Sequence, residues 1–290
     1  MTSLAIRLII LKYCLPSHCR SSLFHAYRKQ HSRFRYQPAQ DKERREHLET
    51  QLRKLSIPYA ITEAVYGKAL SAEELAASYD PEKAIWRFNR ELSKDEIGCA
   101  LSHMNIYRKM VAEDIPHALV LEDDANLLDD QLPATLSNLA WHYPASLPIA
   151  VLLSHAKRYD ENTEDRLHNQ HRLYEAYRGV CAHGYFITKA AAQMMVEKLF
   201  PIYVVADKWE YFQEEFFPVK VLVPYSIGLT SASLASNIGE SSDRIKELSE
   251  MRGRNYMYYV RKYFKRIGYL FRSRPFVKIK YQEKLQSDMH

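Results

Sequence analysis

Glycine is scarce in this chain: 8 of 290 residues. No G-x-G-x-x-G and no G-x-x-x-x-G-K-S/T occurs, which excludes a dinucleotide-binding turn or a P-loop built on those patterns. The four cysteines, Cys14, Cys19, Cys99 and Cys181, form no C-x-x-C pair. That spacing excludes a zinc ribbon or a thioredoxin-type site. Scattered single cysteines suit a reducing compartment, and Cys99 and Cys181 read as small buried apolar residues. Long apolar runs are also missing. Leu4 to Leu15 is broken by Arg7 and Lys12, whereas a membrane-spanning helix needs about 20 apolar residues. No clear small-residue cleavage site follows it, so neither a spanning segment nor a cleaved signal is expected. What remains is ordinary globular composition, 47% hydrophobic and 26% charged, which excludes a disordered or fibrous chain.

The formal net charge of +6 is unevenly spread. Residues 1–40 carry a net +7 and residues 251–290 a net +9, which leaves −10 on the stretch between them. A nucleic-acid-binding fold would carry its basic charge on the folded face, so nucleic acid is not an expected partner. An acidic body with basic ends suits approach of those ends to an anionic membrane surface. From Tyr256 onward, tyrosines and phenylalanines interleave with Arg261, Lys262, Lys265, Arg266 and Arg272. This basic, aromatic, helical extension either docks on such a surface or packs against the acidic body.

Between the ends, periodicity predicts alternating helices and strands. Leu48, Leu52 and Leu55 mark a helix over 41–55, and 57–65 reads as a strand. A short helix over 71–78 is expected to end at Asp80-Pro81. Ser93 and Glu96 form a capping box ahead of a helix whose apolar face includes Ile97, Ala100, Leu101 and Met104. Glu96, His103 and Tyr107 lie on a stripe beside that face. The run 118–121 is short and wholly apolar, as in a buried strand, and ends in Glu122-Asp123-Asp124. Further strands are expected at 149–153, 180–187 and 219–223, and helices at 132–141 and 188–200. Strands alternating with helices argue for an α/β fold with a mostly parallel central sheet flanked by helices.

Three consecutive acids after a buried strand are the sharpest chemical feature. Adjacent carboxylates repel, and a divalent cation relieves that repulsion. The bland alternative is a solvated turn. His103, on the capped helix, is either a hydrogen-bonded packing residue or a ligand. Asp207 closes an apolar run and is either an N-cap for the stretch that follows or a functional acid. His155, His168, His171 and His183 show no metal-ligand spacing.

The segment Glu96-Ile97-Gly98-Cys99-Ala100-Leu101-Ser102-His103, followed about twenty residues later by Leu119-Val120-Leu121-Glu122-Asp123-Asp124, resembles glycosyltransferase family 25, which includes bacterial lipopolysaccharide and lipooligosaccharide galactosyltransferases. Asp41 to Arg45, Ala64-Val65 with Gly67, His183-Gly184-Tyr185-Phe186-Ile187, Asp207, Pro224 and Ser236-Asn237-Ile238 agree in order, so the likeness covers about residues 41–240. It implies a GT-A type nucleotide-sugar fold and inverting transfer of a sugar, galactose by expectation, from a UDP-sugar donor. Donor-binding residues implied are Arg44, Ser102, His103, Glu122, Asp123, Asp124, Gly184 and Tyr185. Glu122 and Asp124 are the implied ligands of manganese or magnesium. Asp207 is the implied catalytic base, or else binds an acceptor hydroxyl. The implied acceptor is a lipid-linked oligosaccharide, which places the protein in the cytoplasm, peripheral on the inner membrane.

One departure accompanies the likeness. The family opens with an apolar strand directly ahead of the arginine-bearing helix, whereas residues 31–38 are basic and include Pro38, which cannot donate to a ladder. The expected organisation is an atypical basic segment 1–38, a glycosyltransferase domain 39–250 and a tail 251–290. Two rivals follow: a catalytically degenerate sugar-nucleotide-binding protein weakened at its first strand, and a glycoside hydrolase working through two carboxylates, which has no need of three contiguous acids.

Overall fold

The computed structural model describes residues 8–13, 39–167, 170–179, 182–230, 256–268 and 279–281. Eleven strands and eight α-helices are resolved among them. In chain order these are β1 (Leu8–Tyr13), α1 (Ala39–Lys54), β2 (Ala60–Thr62), α2 (Ala72–Ser78), α3 (Pro81–Phe88), α4 (Lys94–Ala112), β3 (His117–Glu122), β4 (Ala125–Leu127), α5 (Leu132–His142) and β5 (Ala150–Leu152). There follow β6 (Arg158–Arg166), β7 (Arg172–Arg178), β8 (Gly184–Thr188), α6 (Lys189–Lys198), α7 (Trp209–Glu215), β9 (Val219–Val223), β10 (Ile227–Leu229), α8 (Tyr256–Gly268) and β11 (Ile279–Tyr281).

Nine strands form one sheet in the order β11-β6-β7-β9-β5-β8-β3-β1-β2, and β10 pairs with β4 separately. The sheet is mostly antiparallel, contrary to the parallel arrangement expected from the alternation of elements. Among the described strands only β5 and β9 pair in parallel. The reason lies between β5 and β8. Two parallel neighbours need a crossover connection, usually a helix. Here the chain instead makes the β6–β7 hairpin and enters β8 without a helix, so β8 runs antiparallel to both β5 and β3.

The period of two along a strand explains the layers. On β3, Ala118 and Val120 join one core cluster, with α4, α6 and α7, while Leu119 and Leu121 join another, with α1 and α5. All four are fully buried. A strand covered on both faces reads as a continuous apolar run, and β3 does.

Local chemistry sets the helix boundaries. Ser93 accepts from Glu96 N at 3.2 Å and the Glu96 carboxylate accepts from Ser93 N at 3.0 Å, completing the expected capping box of α4. Asp80-Pro81 does not merely stop α2. Asp80 accepts from Lys83 N at 2.9 Å, and Pro81 opens α3, since proline is favoured in a first turn where its missing N–H costs nothing. β6 is a further surprise: its sequence, RYDENTEDR, is too charged to read as a strand, yet it is held between β7 and β11.

The sheet position beside β2 and β3 is filled by β1, which pairs antiparallel with both. The strand whose counterpart the basic stretch 31–38 could not supply is thus provided from further upstream. Residues 31–38, Cys14, Cys19, His168, Cys181 and the Ser236–Ile238 segment lie outside the described residues. Part of the tail also belongs to the sheet, because β11 pairs with β6 at its edge. No described helix is long and apolar enough to cross a membrane.

Helix α4 lies unusually close to the chain leaving β2. A Cβ on Gly67 would stand 1.7 Å from Lys94 O, and one on Gly98 would stand 2.6 Å from both Gly67 N and Val65 O. Ser102, one turn after Gly98, donates to Gly98 O at 2.7 Å and accepts from Val65 N at 2.8 Å. Gly98→Ala is therefore expected to push the helix off its partner and lower stability by roughly 1–3 kcal/mol, the usual range for overpacking. Denaturant unfolding checks this: an unchanged midpoint would mean that the approach is not required.

Candidate functional site

Helical spacing divides the Gly98-Cys99-x-x-Ser102-His103 motif into two faces. Residues four apart lie above one another. Gly98 and Ser102 face the β2 exit. Cys99, His103 and Tyr107 form a neighbouring ridge that faces the ends of β3 and β8. Ser102, expected at the donor, is instead fully buried and spends its hydroxyl on two backbone partners. It is a packing residue.

His103 is 1% exposed. Its Nδ1 lies 2.7 Å from the Tyr185 hydroxyl, which lies 2.7 Å from the Tyr107 hydroxyl. The imidazole stacks on the Tyr185 ring at 5.8 Å between centroids. Its other nitrogen, Nε2, stands 3.4 Å from Glu122 Oε1 and makes no hydrogen bond. His103 is thus both buried and next to an acid. Burial pushes its pKa down to about 3, against an opposing pull from Asp207, so the ring is neutral near pH 7. The same burial drives the Tyr107 and Tyr185 hydroxyls up and keeps them protonated.

Glu122 ends β3. Burial, reinforced by the Asp207 charge, raises its carboxyl to about 7. Its amide donates to His183 O at 3.2 Å, tying it to the start of β8. Asp123 is buried and Asp124 half-buried in the turn that follows, where Asp124 O accepts from Thr230 N at 3.1 Å. Gly184 is a contact glycine: a Cβ there would meet the Ile227 side chain at 2.7 Å. Tyr185 reaches His103 and is braced from behind by Trp209 at 4.8 Å.

Asp207 is exposed in the loop before α7. The N-cap of α7 is Lys208, with no side-chain cap, so the capping role considered for Asp207 is not the one observed. Its charge acts on both His103 and Glu122. Arg44 lies on α1, partly buried, and makes no hydrogen bond or ion pair with another described residue. The structure therefore brings His103, Glu122, Tyr185 and the influence of Asp207 together, and leaves Ser102, Gly184 and Arg44 in other roles or elsewhere.

Sequence reasoning missed two participants. Cys99 is half-buried rather than a core residue, and its sulfur, the His103 imidazole and a Glu122 oxygen lie within 4.8 Å of one another. The i, i+4 spacing of Cys99 and His103 on a capped helix could have signalled this. His183 is buried beside the same sheet end, and its pKa is depressed to about 4, by burial first and by His155 second; only its place ahead of Gly184-Tyr185 hinted at it.

The donor set bears on a metal. Carboxylate oxygens suit magnesium and manganese, whereas thiol and imidazole suit a softer ion such as zinc. Among the described residues the donor atoms that converge are those of Cys99, His103 and Glu122, a mixed set in which only Glu122 suits the harder cation. A carboxyl whose ionisation is opposed both by burial and by a nearby acid, as at Glu122, is also a setting in which a cation stabilises.

Glu122 carries a pH signature. Its carboxyl rises from an ordinary value of 4.5 to about 7 in the fold. The stability it contributes is therefore complete below pH 4.5 and lost as pH rises through about 7. Glu122→Gln, neutral throughout, should gain on the wild type between pH 4.5 and pH 8 by up to roughly 2–3 kcal/mol in chelator. The His103 contribution, lost progressively as pH falls from 6.5 toward about 3, is common to both proteins and cancels. Thermal unfolding at the two pH values measures the difference, and manganese should narrow it at pH 8 by stabilising only the wild type. A gap that does not change with pH would show that Glu122 is not held as a neutral acid.

The comparisons with known proteins converge. The sequence profile of Glycosyltransferase family 25 (LPS biosynthesis protein) matches residues 39–209, more than half of the chain. Human procollagen galactosyltransferase 2 is 30% identical over 160 residues, covering 53% of this chain and 25% of that protein. Zebrafish (Danio rerio) procollagen galactosyltransferase 1 is 30% identical over 187 residues, covering 61% and 29%. A glycosyltransferase 25 family member of Drosophila melanogaster is 29% identical over 170 residues, covering 55% and 27%. The chain thus spans little more than a quarter of the length of these relatives. The matched stretch runs from α1 to the first residue of α7 and includes His103, Glu122, Tyr185 and Asp207, and on that evidence the chain belongs to glycosyltransferase family 25.

Proposed function

We propose that this protein transfers a sugar, galactose in the first instance, from a UDP-sugar to an oligosaccharide acceptor with inversion, on a GT-A type scaffold. The observation that carries the reading is the half-buried Glu122 at the end of β3, 3.4 Å from His103 Nε2, with its carboxyl raised to about 7 and Asp207 acting on it. The galactosyltransferase names of the relatives support the sugar.

The chemistry follows from the residues. As the glycosidic bond breaks, negative charge grows on the departing diphosphate. A manganese or magnesium ion held by Glu122 and Asp124 would supply Lewis-acid stabilisation of that charge. His103, neutral and pinned through Tyr185 to Tyr107, fixes the inner wall against which Glu122 rests. The more exposed Asp207 would take the proton of the acceptor hydroxyl, as a base does in an inverting transfer. That β1 fills the sheet position beside β2 and β3 supports an active enzyme over a binding protein weakened at its first strand.

The acceptor proposed is a lipid-linked lipooligosaccharide, met on the cytoplasmic face of the inner membrane. The relatives named for procollagen make a protein-linked hydroxyl the alternative, distinguished by an acceptor panel. Helix α8 supports the membrane reading: Tyr256, Tyr263 and Phe264 are 76%, 62% and 65% exposed, with Lys262 beside them. Aromatic rings favour the membrane–water boundary, and basic side chains gain about 1 kcal/mol each near an anionic leaflet. The same helix is also held to the body, through Asn89 to the Tyr259 hydroxyl at 3.2 Å and Arg261 over the Trp86 ring at 3.9 Å.

Transfer from a panel of UDP-sugars, with and without manganese, tests the activity. Asp207→Asn should lower kcat by roughly 10²–10⁴-fold with little change in melting temperature, and Asp124→Asn should abolish metal-dependent turnover. Full activity of Asp207→Asn, or undiminished activity of the wild type in chelator, would overturn the assignment. Sedimentation with anionic vesicles tests α8. Tyr263→Ser with Phe264→Ser should release the protein, and so should salt, because such attraction fades within a Debye length of about 8 Å. Equal binding to neutral and anionic vesicles would exclude the electrostatic part.

A further inference from the structure

A groove of about 440 Å³ lies away from Glu122, between α3, α6 and α7. Lys83, Trp86 and Arg87 of α3 form one wall, Glu197 and Lys198 at the end of α6 another, and Tyr203 and Tyr211 a third, with Glu215 of α7 beside them. Its volume falls in the range of roughly 300–1,000 Å³ typical of small-ligand sites. We propose that this groove binds an acidic saccharide, one bearing a carboxylate or a phosphate, as the recognised portion of the acceptor. That last identification rests on the transferase reading above.

The charge pattern selects an anion. Arg87 is neutralised by Glu215 and lies over the Tyr211 ring at 4.9 Å. Lys83 and Lys198 differ: neither has a carboxylate partner among the described residues. Each rests instead on an aromatic face, Lys83 Nζ 3.9 Å above Tyr203 and Lys198 Nζ 5.3 Å above Phe216. A ring attracts an ammonium through its quadrupole but does not cancel its charge. Glu197 shares the lining, its carboxylate accepting from Gln193 Nε2 at 2.9 Å, so three cations face two carboxylates and the groove keeps a net positive charge, which favours an anion. A divalent cation is disfavoured by the same arrangement. An apolar peptide is disfavoured by the charged lining.

The rim argues for a sugar. Trp86 is 54% exposed, and Arg261 of α8 covers one face of its indole. The ring is thereby held in place without being buried, leaving apolar area beside polar groups, the mixed surface a pyranose presents in return. The groove is also positioned for an acceptor. Tyr203 and Tyr211, joined hydroxyl to hydroxyl at 3.0 Å, stand four residues before and four after Asp207, so the loop carrying the proposed base is anchored at both ends in this wall.

Calorimetric titration of the full chain tests this with lactose, 3′-sialyllactose, glucose, glucose 6-phosphate and inorganic phosphate. The acidic sugar of at least one pair should bind about tenfold more tightly than its neutral counterpart, as expected for one or two screened charge contacts. Lys83→Met with Lys198→Met, both surface positions, should erase that preference. Trp86→Ala should weaken the neutral and acidic sugars alike. Equal binding of each pair, a preference unchanged in the double variant, or inorganic phosphate binding as tightly as glucose 6-phosphate would overturn the proposal. Titration of the wild type with UDP-galactose and manganese separates the two readings: no donor binding would sink the transferase reading while leaving the groove's ligand preference to stand or fall on the sugar titrations.

Discussion

Everything at the candidate site depends on one buried contact, the hydrogen bond between His103 and Tyr185. It joins α4 to β8 across the sheet face, at 2.7 Å, and the Tyr107 hydroxyl extends it. A buried polar network of this kind is costly unless each member is satisfied, and once satisfied it admits few alternative packings. The network fixes the imidazole with Nε2 toward Glu122, and burial holds the ring neutral. It also leaves Glu122 in a corner where ionisation is unfavourable without a cation. The raised carboxyl, the depressed imidazole and the convergence of donor atoms are consequences of one geometry.

That geometry requires α4 to sit where it does, and the two glycines permit it. With Gly67 and Gly98 in backbone contact, Ser102 can bridge helix and loop, and the ridge bearing Cys99 and His103 turns toward β3. The G-C-x-x-S-H pattern is therefore a packing motif and a site motif on adjacent faces of one helix. Trp209 contributes similarly from the other side: it braces Tyr185 while opening the helix that follows the Asp207 loop.

The edges of the molecule serve another purpose. The sheet continues past its core through the charged β6–β7 hairpin to β11, so part of the basic tail is integral to the fold. Helix α8 places Arg261 on Trp86 and turns Tyr263 and Phe264 outward. The acidic body and basic tail seen in the charge distribution thus meet at a specific seam, beside the groove that keeps a net positive charge.

The amino-acid sequence by itself determined the elements governed by local chemistry. The capping box of α4, the doubly buried β3, the placement of α5 and α6, and the acids closing β3 were all legible, because periodicity and caps act within a few residues. So was family membership, through two motifs about twenty residues apart. Strand direction was not legible, since it depends on whether a crossover helix intervenes, and the hairpin of β6 and β7 removed it. Charged β6 could not be read as a strand because its neighbours, not its propensity, hold it in the sheet. The first strand could not be placed, because backbone pairing with β2 and β3 chose a segment distant along the chain. Only the tertiary structure assigned Ser102 to packing and His103 to the acid, since a rotation of about 100° between adjacent helical positions decides which side chain faces a loop and which faces a site.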